Sequence, residues 1–167
     1  LLAHRKVPIG VPEASGPVAW LAGASMMMRD AVVQTVGLFD ENFFLYFEET
    51  DLCRRAAAAG WATHFVRESR VEHIGSVSTG MKTWTRVPGY WFDSRWRYFR
   101  KAGGTGYVVL ATVSHLAGSA VHRLRRLISR GQRTEPSYFL RSLTGHALRQ
   151  LFGRKTRPQQ WDGSPPV

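Results

Sequence analysis

With 167 residues, 44% of them hydrophobic, the chain is long enough for one domain with a real core. Its single cysteine, Cys53, excludes an internal disulfide and fits a reducing compartment. The net charge of +11 is uneven: residues 1–93 hold 9 Lys/Arg against 10 Asp/Glu, whereas residues 94–167 hold 14 Lys/Arg against only Glu135 and Asp162. A near-neutral part of about −1 therefore precedes a basic part of about +12, an asymmetry that points to an anionic partner, membrane surface or nucleic acid.

In chain order, no signal peptide is visible, and the start Leu1-Leu2-Ala3-His4, without a Met, is expected to belong to something longer. Residues 1–17, with Pro8, Pro12, Pro17, Gly10 and Gly16, read as an irregular loop. Val18 to Met28 is predicted to be a buried strand, with Gly23 marking a bulge or a close backbone approach and Met26, Met27 and Met28 packing in the core. Arg29 to Val36 is predicted to be a short helix capped by Gly37, and Asp40-Glu41-Asn42 a turn. Phe43 to Phe47 is expected to be extended. Asp51 to Ala59 follows as a helix with Leu52, Ala56 and Ala59 on one face and Arg54 and Arg55 off it, stopped by Gly60. Trp61–Val66 and Val71–Ile74 are predicted strands, the second ending in a flexible Gly/Ser segment over 75–80. Strands alternating with helices indicate an α/β layer structure.

Residues 84–101 interleave Trp84, Tyr90, Trp91, Phe92, Trp96, Tyr98 and Phe99 with Arg and Lys. Trp91, Arg95 and Tyr98 fall on one helical face, Phe92, Trp96 and Phe99 on another, and Gly103-Gly104 breaks the helix. Tyr107 to Val121 is an apolar helix too short and interrupted for a membrane span, and it runs into the cationic stretch 122–130. An apolar helix joined to a cationic one is the pattern of an interfacial anchor, so 105–130 is expected to bind an anionic membrane surface peripherally. The rest is a polar, basic tail with one amphipathic stretch, Tyr138 to Phe152, and a disordered end. Aromatic residues at helical spacing pack more often than they stack on bases, so no nucleic-acid partner is expected.

The chemistry gathers at Phe43-Phe44-Leu45-Tyr46-Phe47-Glu48-Glu49-Thr50-Asp51. Three carboxylates within four positions repel one another and raise each other's pKa. One reading is a helix start, with carboxylates at the positive end of the macrodipole and Thr50 as N-cap. The other is an acid/base or metal site at a strand-to-helix junction. His73, near the end of a later strand, is either a satisfied structural residue or a partner in that site.

Ordered as they are, Trp20-Leu21-Ala22-Gly23-Ala24-Ser25, Val36-Gly37-Leu38-Phe39-Asp40-Glu41-Asn42-Phe43-Phe44, Glu48-Glu49-Thr50-Asp51-Leu52-Cys53-Arg54-Arg55, Ala59-Gly60-Trp61 and His73 resemble the C-terminal half of family 2 glycosyltransferases. The likeness is to rhamnosyltransferase- and galactofuranosyltransferase-like members, and it covers roughly residues 18–101. It implies the C-terminal, acceptor-binding half of a GT-A α/β fold over 1–101, which the residues themselves continue as an amphipathic helix over 102–130 and a basic tail over 131–167. It implies inverting transfer of a sugar, rhamnose among the candidates, from a nucleotide-sugar donor to a cell-envelope glycan or lipid-linked acceptor, on the cytoplasmic face of the membrane. Glu49 becomes the catalytic base, Glu48 its neighbour, His73 a ligand of Mg²⁺ or Mn²⁺, and Trp20, Gly23, Phe47 and Arg55 substrate-binding candidates. The family more often has Asp at the position of Glu49, which leaves Asp51 as the alternative base or as a residue that caps the helix or pairs with Arg54 or Arg55. Trp20 and Phe47 either stack on sugar faces or belong to the core. The chain contains no Asp-x-Asp motif, and by itself it is expected to be incomplete and inactive.

Overall fold

The structure is a computed structural model and describes residues 10–72, 86–129 and 138–153, with the side chains of 126–129 left aside. Six elements follow in order: β1 (Gly16–Val18), α1 (Asp30–Val36), α2 (Glu48–Ala58), β2 (Thr63–Phe65), α3 (Gly89–Ser129) and α4 (Phe139–Phe152). Two compact units divide them. One holds the described residues of Lys6–Glu41 and Tyr46–Trp84, the other those of Asn42–Leu45 and Thr85–Val167.

In the first unit, β1 and β2 pair antiparallel, with Gly16 opposite Phe65 and Val18 opposite Thr63. Ser15 ties the strand ends together: its Oγ donates to Glu68 (2.7 Å) and accepts the Arg67 N–H (2.8 Å). Among the described residues this two-stranded ribbon is the whole sheet. Helix and strand alternate from β1 to β2, in keeping with an α/β chain, and the strands among the described residues are this one short pair. The predicted buried strand Val18–Met28 is corrected accordingly. It is strand only to Val18 and continues as an irregular stretch in which Met27 is fully exposed and Met26 and Met28 are half-buried. Among the described residues β2 is the strand that pairs with this stretch, and it pairs only as far as Val18, so the apolar run beyond has no ladder to join. Val71 and Glu72 are likewise not strand; His73, Ile74 and the Gly/Ser segment lie outside the described residues.

α1 ends where Gly37, at φ 75°, takes a conformation that glycine adopts freely. α2 ends in a Schellman arrangement: Trp61 N–H donates to Ala56 O, Gly60 N–H donates to Ala57 O, and Gly60 sits at φ 86°. Its buried face is Asp51, Leu52, Cys53 and Ala56.

The second unit is helical. α3 spans 41 residues but contains non-helical Gly103 (φ −152°) and Gly104 (φ 77°), which turn it back on itself. The pairs across that turn show the hairpin: the Arg95 guanidinium donates to Thr112 Oγ1 and Ala111 O, both at 3.1 Å, and Phe99 stacks on Tyr107. α4 lies on both arms. Phe139 and Leu143 pack with Phe92 and Leu116, and Ala147 packs with Trp96 and Val108. The His146 ring bonds Asp93 at 2.7 Å. The two faces read from residues 91–99 thus divide: Phe92 and Trp96 enter the core, and Arg95 is buried with them, held over the Phe99 ring. Burial without a carboxylate partner pulls the Arg95 pKa down. Phe43 and Phe44 belong to this unit, Phe43 buried under Arg97 and Lys101 and Phe44 against Tyr90.

Candidate functional site

The site is built around the N-terminus of α2. The segment before it is not extended, as the run of apolar residues suggests; Leu45 to Phe47 form a bend. Tyr46 and Phe47 both have φ of 70°, a left-handed conformation that costs a bulky residue about 1–2 kcal/mol. Two such residues in succession change the chain direction sharply and start the helix three residues earlier than predicted, at Glu48 rather than Asp51. Thr50 is therefore inside the first turn, and the N-cap is Phe47, which makes no side-chain cap. Glu48, Glu49 and Asp51 all fall in that first turn, where the macrodipole favours negative charge.

The three carboxylates are treated differently. Asp51 is fully buried, and both its oxygens are bonded: Arg54 donates to Oδ1 at 3.1 Å and Arg55 to Oδ2 at 2.8 Å. Arg55 also donates to Leu38 O at 2.7 Å and to Val36 O, a carbonyl left over at the end of α1. Asp51 and Arg55 thus clamp α2 to the end of α1. By contrast, Glu48 Oε2 and Glu49 Oε2 are buried without a hydrogen-bond partner. Burial pushes the Glu48 carboxyl up from its ordinary value, a backbone hydrogen bond pulls it down, and the Glu49 charge pushes it up again. Desolvated carboxylate oxygens without donors are held ready for a proton, a hydroxyl or a cation.

Gly23 is the other wall. A Cβ at Gly23 would lie 3.7 Å from the Glu49 Cβ, so the loop after β1 passes beside the first turn of α2. Trp20, on the same loop, is 40% exposed rather than a core residue. Phe47 is half-buried at the helix start. His73 lies outside the described residues. Among the described residues no three His, Cys, Asp or Glu gather as a metal site. Sequence reading missed the Tyr46–Phe47 bend, since nothing in two aromatic residues signals a left-handed backbone. It also missed that Arg55 reaches α1, a contact 17 to 19 positions back that helical spacing cannot announce.

The sequence model of the glycosyltransferase like family 2 matches residues 2–134. The N-acetylglucosaminyl-diphospho-decaprenol L-rhamnosyltransferase of Mycobacterium tuberculosis is 41% identical over 64 residues, 38% of this chain and 21% of the relative, in both strain CDC 1551 and strain H37Rv. The rhamnosyltransferase WbbL of Escherichia coli K12 is 41% identical over 49 residues, 29% of this chain and 19% of the relative. The matched stretches thus span about a fifth of these relatives' length. No solved structure matches.

Proposed function

The chain belongs to the glycosyltransferase like family 2, and from that premise we propose that it carries the acceptor and catalytic-base half of a GT-A sugar transferase. The observation that carries the reading is the pair of buried, unpartnered oxygens on Glu48 and Glu49. Inverting transfer is a displacement at the anomeric carbon. The acceptor hydroxyl attacks, its proton must leave, and a carboxylate within hydrogen-bond reach takes it. Glu49 is the base in this reading: its side chain leaves the helix start beside Gly23, and its Oε2 has no hydrogen-bond partner. Glu48 is its neighbour. Burial raises the Glu48 pKa, so Glu48 takes up a proton more readily than an exposed glutamate. Asp51 is the less suitable base because both its oxygens are engaged and no acceptor can reach it. Arg55, fastened to three oxygens, supports the site from beneath rather than touching sugar. Trp20 offers an apolar face to a pyranose ring.

A divalent ion is part of the reading. Hard, desolvated carboxylate oxygens at α2 suit Mg²⁺ or Mn²⁺, and the imidazole of His73 is a ligand that Mn²⁺ accepts more readily. When bound, the ion neutralises the departing nucleotide diphosphate. The relatives' names support a deoxyhexose donor such as a nucleotide-linked rhamnose and a lipid-linked or cell-envelope glycan acceptor. Activity in this reading needs the nucleotide-binding half of the GT-A domain in addition to these residues.

The test uses the chain joined to that half. Glu49→Gln keeps the shape and removes the base, so turnover falls about 10² to 10⁴-fold while donor affinity holds. His73→Ala raises the Mn²⁺ concentration needed and weakens donor binding, with partial rescue by excess Mn²⁺. If Glu49→Gln turned over normally and Asp51→Asn, still folded, did not, the base would be Asp51.

A further inference from the structure

The second arm of α3 has two faces of different character. One is packed inside the helical unit: Val108, Thr112 and Ser119 are almost fully buried. The other carries Tyr107 (46% exposed), Leu110 (62%), Val113 (55%), Ala117, Ala120 and Leu124 (62%). These recur every three or four residues, so they form one continuous stripe about 25 Å long at 1.5 Å per residue. Between Tyr107 and Val121 the sequence has no Asp, Glu, Lys or Arg. Both ends of the stripe are cationic and exposed, with Arg100 and Lys101 before it and Arg123 and Arg125 after it. No carboxylate occurs in α3 after Asp93. No described helix is long and apolar enough to cross a membrane.

We propose that this stripe docks on the surface of an anionic lipid bilayer. α3 would lie in the interfacial plane, with its apolar residues among the upper acyl chains and its terminal arginines at headgroup level. The charge pattern selects this occupant. A second copy of the chain, laid parallel or antiparallel, would bring Arg123 and Arg125 against another cationic end and would be repelled. An anionic headgroup layer meets both ends favourably. The sequence suggests a free amphipathic anchor over 105–130. The fold instead pins one face of the helix, so membrane contact falls to the outward stripe. The inference rests on the geometry of the helical unit and is independent of the sugar-transfer reading.

Sedimentation of the 167-residue protein with vesicles tests it, using phosphatidylcholine alone and a 3:1 mixture with phosphatidylglycerol across a salt series. The wild type is expected to bind the anionic vesicles and to be released by salt. The triple variant Leu110→Gln, Val113→Gln, Leu124→Gln, altered only at exposed positions, should partition at least about tenfold less with an unchanged circular dichroism melt. Arg123→Gln with Arg125→Gln should lose about thirtyfold on anionic vesicles, from about 1 kcal/mol per arginine, and should flatten the salt dependence. Three results would overturn the proposal: a wild type that does not bind, a triple variant that binds like wild type, or a dimer in light scattering that the triple variant dissociates.

Discussion

The helical unit and the unit that carries the carboxylates are held together by different means. In the first, Phe92, Trp96, Val108, Phe139, Leu143 and Ala147 are buried from three helical segments, and even the charged Arg95 has hydrogen-bond partners. In the second, the buried apolar residues among those described are Leu52, Cys53 and Ala56, and the element at their centre is a charge network of Asp51, Arg54 and Arg55. Glu48 and Glu49 each keep a buried carboxylate oxygen without a partner there, next to Tyr46 and Phe47 at φ 70°, whereas the helical unit leaves the ring nitrogens of Trp96 and His122 without one and has Tyr138 at φ 60°. The contrast is therefore one of kind: the apolar unit leaves ring nitrogens unpaired, and the small polar scaffold leaves carboxylate oxygens that chemistry can use.

The largest stability effects should test that contrast directly. Leu143→Ala removes a side chain only 2% exposed between α3 and α4 and should cost about 3 kcal/mol, with little dependence on salt. Asp51→Ala leaves two guanidinium groups without their carboxylate and should cost about 3 kcal/mol as well, and Asp51→Asn should cost less. Urea titrations followed by tryptophan fluorescence and circular dichroism measure both. An Asp51→Ala loss well under 1 kcal/mol would mean that apolar burial holds the second unit as it does the first.

A smaller effect is expected at the α3 turn. Gly104 sits at φ 77° and ψ −174° with open space around it, a backbone region that is essentially glycine-only, so Gly104→Ala should cost the backbone strain alone, about 2 kcal/mol. A larger loss would show that packing, rather than backbone conformation, sets the hairpin.

The smallest effect concerns Glu48 and changes sign with respect to ordinary surface carboxylates. Its folded pKa is raised from 4.5, with burial the main cause. The protonated form is therefore favoured by folding. That contribution is fully present below the unfolded pKa and is lost as pH rises through the folded one. At neutral pH the wild type bears the cost of a desolvated charge. Glu48→Gln in metal-free buffer should raise Tm by about 1 °C at pH 7, and the gain should fade as pH drops through the glutamate range. A variant less stable than wild type at pH 7 would mean that the Glu48 charge is stabilised rather than desolvated.

Much of the site was legible because it is local. The crowding of Glu48, Glu49 and Asp51 within one turn, the pairing of Asp51 with Arg54 and Arg55 three and four positions on, and the Gly60 stop all follow from spacing on a helix. The helix break at Gly103-Gly104 was legible for the same reason, though not the direction in which the chain returns. Trp20 and Met27 were not, because hydrophobicity alone does not say whether a partner strand exists to cover them.

The sequence by itself determined the helix periodicities, the helix stops at Gly37 and Gly60, the carboxylate cluster, the split between a neutral and a basic half, and the family. Each depends on residue type and short-range spacing. Helical spacing offers Asp51 its two arginines; only the tertiary structure decided that Asp51 is fully buried with them, that Arg55 also reaches the end of α1, 17 to 19 residues back, and that Glu48 and Glu49 each keep a buried oxygen without a partner. It likewise decided that α3 folds back and keeps one apolar face outward, because burial depends on which segments return to the same place, and no local pattern encodes that.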